Sequence, residues 1–295
     1  MQLHGKLEDL ELKSLKRFIK SLPFIRRVVQ IYLRRRRAIG SFQEKLRYAK
    51  SWSYKRTEFS NYYYALTPRN RKDLAFLISH ICLEPLQNVE EYFSEIENDN
   101  LVKDILNTFR DKNPELRDST MEIGRRIGWY AFIRIRKPKF VVETGVHHGV
   151  GALVINSALR RNRHEGYPGE YLGTDINPNS GELLVHPFNE HCSISIDDSI
   201  VTLQSLVTSI DLFINDSDHS AEYEAAEYSS IEMKLSMDGM ILGDNSHASD
   251  SLRKFSEKTK RNFIFFKEEP FNHFYSGAGI GISFKVPSKN RIRED

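Results

Sequence analysis

The chain has 295 residues, of which 40% are hydrophobic and 28% are charged, a composition typical of a soluble globular protein. The two cysteines, Cys82 and Cys192, form no CxxC motif, so we expect reduced thiols and neither a disulfide framework nor a zinc site. The sequence contains no signal-peptide core and no run of 18 apolar residues. We therefore expect a cytoplasmic protein without a membrane-spanning helix.

The net charge of +3 hides an uneven distribution of charge. Residues 13–37 hold ten basic residues and no acid, so the rest of the chain carries −7, the difference between +3 and +10. Apolar residues recur at helical spacing on both sides of Pro23, which predicts helices over 7–22 and 24–39. Such a basic arm suits peripheral contact with the anionic inner face of a membrane, a charged glycan, or a partner subunit in a homo-oligomer. Contact with nucleic acid is the weakest of these interpretations.

The next part of the chain is predicted to be helical. Residues 41–66 are rich in aromatic side chains, which either cover a substrate or pack the N-terminal part of the chain onto a core. Helical spacing follows in three stretches: 70–83, 88–110 and 121–135, the last with Ser119 or Thr120 as its N-cap. We predict a helical N-terminal appendage over residues 1–118 and a second domain over 119–295.

From Lys139 onward, strand patterns alternate with helical patterns. The predicted strands are 139–144, 170–175, 191–196, 211–216, 239–244, 262–267 and 279–285. The predicted helices are 151–162, 179–188, 198–208, 222–236 and 249–260. Strands joined by helical crossovers form a parallel sheet, whereas the glycine-containing connection between the last two strands suits an antiparallel return. The fold class is therefore α/β: a Rossmann-like, seven-stranded, mostly parallel sheet with helices on both faces and an antiparallel last strand.

A glycine-rich loop follows the first predicted strand. Glu143 closes the strand, Gly145, Gly149 and Gly151 follow it, and a helical pattern begins at Ala152. A strand, a glycine loop and a helix N-terminus together present backbone N–H groups to a nucleotide-like ligand. This unit alone fits a dinucleotide and S-adenosylmethionine equally well.

Acids and amides stand where the predicted strands end. Ligands of an open α/β sheet bind at the carboxyl ends of its strands, so these side chains mark a candidate site. Asp175 is placed to accept hydrogen bonds from ribose hydroxyls, with a helix N-cap as the alternative. Asp198 is either an adenine contact or the N-cap of the helix 198–208, and both roles are compatible.

The ends of the fourth and fifth strands carry oxygen ligands and histidines. Asp216, Asp244 and Asn245 form a hard, oxygen-rich group that suits Mg²⁺ rather than zinc. His219 and His247 lie nearby in sequence, and a histidine can take the proton of a hydroxyl group. We interpret His147 and His148, in the glycine loop, as residues without a catalytic role.

Four segments resemble class I S-adenosylmethionine-dependent methyltransferases, over about residues 122–285. They are Glu143–Gly149, Gly173–Asp175, Asp211–His219 and Asp238–Asn245. The likeness is greatest to metal-dependent O-methyltransferases of the catechol type and of the macrolide-sugar type, which includes macrocin and mycinamicin O-methyltransferases.

The resemblance implies a set of site residues. It places Glu143, Gly145, Gly149, Asp175, Asp198 and Asp216 at the cofactor, and Asp216, Asp244 and Asn245 at a divalent metal ion. Asp216, His219 and His247 become the catalytic candidates. The macrolide-sugar type has a histidine at the position of His219, where the catechol type has a lysine, so the resemblance favours a sugar hydroxyl as acceptor.

The expected activity is methyl transfer from S-adenosylmethionine to a hydroxyl of a polysaccharide, glycolipid or glycosylated natural product, assisted by a metal ion. Three alternatives remain: an NAD-dependent oxidoreductase, a nucleic-acid methyltransferase and a binding module without activity. The glycine spacing departs from Gly-x-Gly-x-x-Gly, and no Asn-Pro-Pro-Tyr-like motif is present. The strand-end acids argue against the third alternative.

Overall fold

The computed structural model describes residues 23–56, 58–116, 120–244 and 246–285. The chain divides into two compact units, Met1–Lys55 and Arg56–Asp295. The predicted helix over 7–22 lies outside the described residues.

The described part of the first unit is one helix, α1 (Pro23–Trp52), of 30 residues. It extends well beyond the predicted end at residue 39, because Gly40 lies within the helix and does not end it. None of its residues is buried. In the described part of the chain no helix combines the length and the apolar content that a bilayer span requires.

The second unit contains a seven-stranded sheet. Its strands are β1 (Phe140–Thr144), β2 (Glu170–Asp175), β3 (Cys192–Ile196), β4 (Ile210–Asn215), β5 (Leu235–Gly243), β6 (Asn262–Lys267) and β7 (Gly279–Phe284). Their order across the sheet is β3-β2-β1-β4-β5-β7-β6. Strands β1 to β5 pair in parallel, whereas β7 runs antiparallel between β5 and β6. The predicted fold class is therefore confirmed, including the antiparallel last strand.

The sheet has a hydrophobic cluster on each face. Neighbouring residues of a strand point to opposite faces, so Val141 joins the larger cluster with Trp129, and Val142 joins the smaller one with Tyr228. Both valines are fully buried, which explains why the strand reads as a continuous apolar run. The two packed faces leave the strand ends as the place for a site.

The described residues contain nine helices. They are α2 (Pro68–Cys82), α3 (Leu86–Glu97), α4 (Asn100–Lys112), α5 (Arg126–Arg136), α6 (Val150–His164), α7 (Ser199–Ser205), α8 (Ala221–Ile231) and α9 (Ser251–Lys258), with α1 in the other unit. Helices α2 and α3 pack against α5, and α4 contacts α6. The compact unit thus begins at Arg56 and includes these helices, while the division at residues 118 and 119 stays a prediction about domains.

Apart from α1 and from shifts of several residues at other helix ends, three predicted helices differ from the structure. The stretch 88–110 is two helices, because Asp99 caps α4 by accepting hydrogen bonds from Leu101 N and Val102 N, at 3.0 and 3.3 Å. The stretch 121–135 becomes helical only at Arg126, after Gly124 at φ +55°. The predicted helix 179–188 is wrong: these residues form turns around Gly181 at φ +78°.

Candidate active site

A cavity of about 730 Å³ opens at the carboxyl ends of β1, β2, β4 and β5. Register explains the convergence: Thr144, the last residue of β1, lies opposite Thr174 of β2 and Asn215 of β4. The loops after these parallel strands therefore start at the same edge. Predicted site residues that line the cavity are Glu143, Gly145, Gly149, Asp175, Asp198, Asp216, His219, Asp244 and His247. Asn245 lies outside the described residues.

The glycine loop touches the end of β4. Gly145 has φ +81°, and a Cβ atom there would overlap the backbone oxygen of Asp216. Gly149, at φ +91°, would place a Cβ atom 3.0 Å from the Cα of Gly181. A Cβ atom on Gly151 would overlap the carboxyl of Glu143. All three glycines are thus required by close approach, and Gly145 and Gly149 also by backbone conformation.

Asp175 fixes the glycine loop from the neighbouring strand. Its Oδ2 accepts a hydrogen bond from the backbone N of His147, at 2.7 Å, and its Oδ1 accepts one from Asn177 N, at 2.8 Å. Each carboxylate oxygen keeps acceptor capacity for another donor. The side chain is therefore positioned by the backbone and still able to bind a ligand in the cavity.

Asp198 is a helix N-cap. Its Oδ1 accepts hydrogen bonds from Ile200 N, at 2.8 Å, and Val201 N, at 3.3 Å, at the start of α7. Its Oδ2 accepts a hydrogen bond from the hydroxyl of Tyr223, at 3.1 Å. The structure thus shows the capping role, and contact with an adenine ring stays a prediction.

Glu143 is a buried acid at the end of β1. Its side chain is 1% exposed, and its Oε2 accepts a hydrogen bond from the hydroxyl of Tyr171, at 2.5 Å. Burial raises the pKa of Glu143 to about 7, although the Tyr171 hydrogen bond and the charge of Arg126 oppose the shift. Near neutral pH this carboxyl is therefore close to its own titration point.

Two arginines at the start of α5 face the acids that follow β4 and β5. Arg125 pairs through Nε with Oδ1 of Asp244, and both side chains are more than nine-tenths buried. Arg126 places its Nη2 at 3.8 Å from Oδ2 of Asp216. The ends of β4 and β5 therefore carry cations as well as carboxylates.

The two acids have opposite pKa shifts. Burial and the charge of Asp244 raise the pKa of Asp216 well above its usual range. Burial also penalises the charge of Asp244, but the Arg125 guanidinium, the hydrogen bond with Asp216 and the charge of Arg126 together hold the pKa of Asp244 below its usual value. The opposite shifts follow from the closer approach of Arg125 to Asp244 than of Arg126 to Asp216.

The predicted magnesium site does not fit this arrangement. Arg125 already neutralises Asp244, and a divalent ion between the acids would lie beside its guanidinium. Two unit charges at about 4 Å repel by about 4 kcal/mol at an effective dielectric constant of about 20, and a divalent ion doubles this. Among the described residues no three His, Cys, Asp or Glu side chains converge as metal ligands. The assignment of Asp216 and Asp244 as magnesium ligands is therefore not supported.

The predicted histidines lie at the same cavity. His219, on the loop after β4, is exposed and lines it. His247 is also exposed, and its Nδ1 lies 3.3 Å from the backbone oxygen of Asp244. His147 and His148 also line the cavity, with ring centroids 4.0 Å apart. Burial, followed by the neighbouring His148, lowers the pKa of His147.

Several cavity residues were missed by sequence reasoning. Arg125 and Arg126 come from α5, whereas Tyr62, Tyr63 and Tyr275 come from loops distant in sequence. A signal for the arginines exists: the pair Arg125–Arg126 directly precedes the apolar run Ile-Gly-Trp-Tyr-Ala-Phe-Ile, and a charge beside such a run is often buried with a partner. The tyrosines carry no comparable signal beyond the aromatic content of residues 41–66.

Residues 142–246 match the model of a family described as a methyltransferase domain. Among curated proteins, no sequence matches this chain. The match covers β1 to the end of β5, the same segment that supplies the glycine loop and the strand-end acids.

Solved structures resemble the chain at low sequence identity. The SAH-bound methyltransferase PaMTH1 of Podospora anserina is 18% identical, covers 68% of this chain and 95% of its own, and has a TM-score of 0.49. A protein from Klebsiella pneumoniae described as an O-methyltransferase is 14% identical, covers 64% of this chain and 91% of its own, and has a TM-score of 0.47. A methyltransferase from Geobacter sulfurreducens is 14% identical, covers 54% of this chain and 76% of its own, and has a TM-score of 0.42. Similarity at this level carries no argument about substrate.

The family match, the strand order and the cavity at the strand ends concern the same part of the chain. Residues 142–246 of this protein match a methyltransferase domain.

Proposed function

We propose that the protein transfers a methyl group from S-adenosylmethionine to a hydroxyl oxygen. One observation carries the proposal: a single cavity joins the glycine loop of the methyltransferase segment to the two histidines after β4 and β5. The volume of about 730 Å³ lies within the range of small-molecule sites. The cofactor and part of an acceptor therefore have one shared space.

The residues around the glycine loop fit the cofactor. Asp175 faces the cavity with acceptor capacity for the ribose hydroxyls, and Asp198 lies further along the same edge for the adenine ring. The Nε of Arg126 is buried and has no hydrogen-bond partner among the described residues. A buried donor of this kind is stabilised by an anionic ligand group, and the carboxylate of the methionine part supplies one.

The transfer itself is an in-line displacement. When bound, S-adenosylmethionine supplies an electrophilic methyl group on a positively charged sulfur. The acceptor oxygen forms the bond to the methyl carbon, the carbon–sulfur bond breaks with its electron pair going to sulfur, and His219 takes the hydroxyl proton. His247 is the second candidate for this base. Positioning of the acceptor supplies most of the acceleration, and no step is assigned to a metal ion.

We propose a sugar hydroxyl as the acceptor, on a polysaccharide, a glycolipid or a glycosylated natural product. The support is the resemblance to the macrolide-sugar type, with His219 three residues after Asp216. His219 is exposed at the cavity, where a bulky acceptor can reach it.

Calorimetry with the full chain tests the cofactor. S-adenosylmethionine should bind and NAD should not, and binding of NAD alone would replace the proposal with an oxidoreductase. A screen with methyl-labelled cofactor against glycan and lipid extracts then tests the acceptor. Label incorporated only into nucleic acid would contradict the sugar assignment.

The base is tested by a matched pair of variants. His219→Ala should reduce turnover at least about 100-fold with cofactor affinity unchanged, the usual effect of removing a general base. His80→Ala, on the surface of α2, is the control and should leave turnover unchanged. If His247→Ala shows the large loss instead, the base is His247.

We also propose that α1 docks on an anionic membrane surface. The helix carries nine basic residues and one acid, and none of its side chains is buried. Its exposed apolar residues include Phe24, Val28, Ile31, Ile39, Phe42 and Leu46, which recur at intervals of three and four residues except for one interval of eight. A second copy of so basic a helix would be repelled, whereas an anionic lipid surface is complementary in both charge and polarity.

Vesicle co-sedimentation tests this docking. The full chain should bind phosphatidylserine-containing vesicles and not neutral ones. Reversing Arg34 to Arg37 to glutamate should weaken binding at least tenfold, since each basic residue near the surface contributes about 1 kcal/mol. The control reverses four exposed lysines elsewhere: Lys72, Lys103, Lys112 and Lys260. Equal binding to neutral vesicles, or concentration-dependent dimers in place of vesicle binding, would reject the proposal.

A further inference from the structure

Arg125 is held inside a ring of buried polar side chains. Its Nε pairs with Asp244, and its Nη1 donates a hydrogen bond to the hydroxyl of Tyr64, at 3.1 Å. The same Nη1 lies 3.5 Å from Oε1 of Glu268. The side chains of Arg125, Asp244 and Glu268 are 7%, 6% and 0% exposed. A charge buried this deeply persists only among partners, so the guanidinium and the two carboxylates depend on one another.

Glu268 is held in place by groups other than the acids that follow β4 and β5. Oε1 of Glu268 accepts hydrogen bonds from the hydroxyl of Tyr64 and from the backbone N of Ala278, both at 2.7 Å. Glu268 thus has a set position, and it lies at a different nitrogen of the Arg125 guanidinium from the one that pairs with Asp244. The guanidinium cannot move aside to admit an ion without leaving two buried carboxylates unpaired.

The second arginine completes the balance of charge. Arg126 approaches Asp216 at 3.8 Å, and its Nη1 donates a hydrogen bond to the backbone oxygen of Tyr62, at 3.2 Å. Two consecutive residues at the start of α5 therefore place one guanidinium beside each of the two acids that follow β4 and β5. The acids receive their positive charge from the chain itself.

The geometry points to Arg125 as a built-in cation: it takes the place of a divalent metal ion between the ends of β4 and β5, and methyl transfer in this protein is metal-independent. This deepens the proposed function and rests on it for the reaction. Arg125 is a positioning residue that holds Asp244 against Asp216. It follows for the acceptor that a pair of adjacent oxygens able to chelate an ion is unnecessary, and that a lone hydroxyl is sufficient.

The first experiment measures Mn²⁺ binding to the full chain by electron paramagnetic resonance and Mg²⁺ binding by calorimetry, with S-adenosylmethionine binding measured on the same sample. We expect cofactor binding and no metal binding at 1 mM, on the order of the weakest physiological protein sites. Metal binding that disappears in Asp216→Asn would overturn the inference. Loss of cofactor binding would instead refute the proposed function, so the two failures are distinguishable.

The second experiment removes the guanidinium. Arg125→Met should lower the melting temperature and free the acids, so that the variant gains Mn²⁺ binding. Mn²⁺ at 100 times its dissociation constant should then raise the melting temperature by about 5 °C or more. A folded Arg125→Met that gains no Mn²⁺ binding would overturn the assignment of Arg125.

The control for Arg125→Met is another buried arginine. Arg134 has a side chain 3% exposed and pairs with Glu95 and Glu165, away from the cavity. Arg134→Met should also lower the melting temperature, without any response to Mn²⁺. If Arg125→Met does not fold, Arg125→Lys keeps the charge and should remain without Mn²⁺ binding; Mn²⁺ binding by the lysine variant would overturn the inference.

Discussion

The two halves of the cavity hold their acids in different ways. In the half that we propose binds the cofactor, here the cofactor half, Asp175 and Asp198 accept hydrogen bonds from backbone N–H groups of the adjacent loop or of their own helix. In the half that we propose binds the methyl acceptor, here the acceptor half, Asp216 and Asp244 face arginine side chains that start about 90 to 120 residues earlier in the chain. The first arrangement is local or follows from strand pairing, and the second depends on how α5 packs.

This difference has a chemical consequence. Backbone donors are neutral, so the carboxylates they hold keep their charge and their remaining lone pairs for a ligand. Guanidinium groups neutralise the carboxylates they meet, which removes the need for a metal ion there. The cofactor half therefore presents hydrogen-bond acceptors to a ligand. In the acceptor half, positively and negatively charged side chains balance one another.

The largest effect is expected where the two halves touch. Gly145→Ala would place a Cβ atom against the backbone oxygen of Asp216, in a backbone conformation of φ +81°. We expect a loss of about 3 kcal/mol or more of unfolding free energy in urea, and no measurable cofactor binding. Gly166→Ala is the matched control, since its φ is +91° but nothing lies within 4 Å. Equal losses in both variants would show that the halves are not in steric contact.

The next effect concerns Glu143 and pH. Because the folded-state pKa of about 7 lies above the ordinary 4.5, the folded protein binds this proton more tightly than the unfolded chain. The stabilisation that this proton provides is therefore complete below about pH 4.5 and is lost as the pH rises through about 7. The free energy of unfolding should fall by up to about 3 kcal/mol over this range. Glu143→Gln keeps an acceptor for Tyr171 and should remove this loss.

Urea unfolding at pH 5 and pH 8 measures that difference, with the exposed Glu257→Gln as control. If the wild type and Glu143→Gln change in parallel between the two pH values, Glu143 does not titrate near neutrality.

A smaller effect, on cofactor affinity, is expected at Asp175, which contacts the glycine loop. Asp175→Asn removes the charge that faces the cavity, and hydrogen bonds to charged groups contribute about 1.5–3 kcal/mol. The dissociation constant of S-adenosylmethionine, measured by calorimetry, should rise tenfold to about 100-fold. Asp250→Asn, on the surface at α9, should leave it unchanged. An unaltered affinity in Asp175→Asn would remove Asp175 from the cofactor site.

The smallest effect separates two roles of Asp198. Asp198→Ala should lower the unfolding free energy by about 1 kcal/mol, because the N-cap of α7 is lost. Asn is as good an N-cap, so Asp198→Asn should keep the stability and isolate the contact with the cofactor. Unchanged cofactor affinity in Asp198→Asn would leave only the capping role.

Much of the fold was predictable because its signals are local. The buried run at Val141 and Val142, the glycines after Glu143 and the alternation of strands and helices indicate a parallel sheet without any tertiary knowledge. The strand ends could also be predicted, since parallel strands deliver their last residues to one edge. The failures in secondary structure, at residues 88–110 and 179–188, arose where Asp99 or Gly181 ends a periodic pattern.

The acceptor half was less predictable for a physical reason. Asp216 and Asp244 have the residue types of metal ligands, and nothing in their neighbourhood in sequence reveals Arg125. Their partner is determined by tertiary packing, as is that of Glu268, which lies 143 residues from Arg125. Residue type alone therefore suggests an ion where the folded chain supplies a side chain.

None of the residues of helix α1 is buried. Substitutions in it are thus largely free of the packing constraints that fix residues such as Trp129 or Phe213. Over evolutionary time such a helix can change its charge and apolar spacing, and so change what the protein associates with, while the fold that carries the chemistry stays the same. If α1 docks as proposed, targeting and catalysis can diverge at separate rates within one chain.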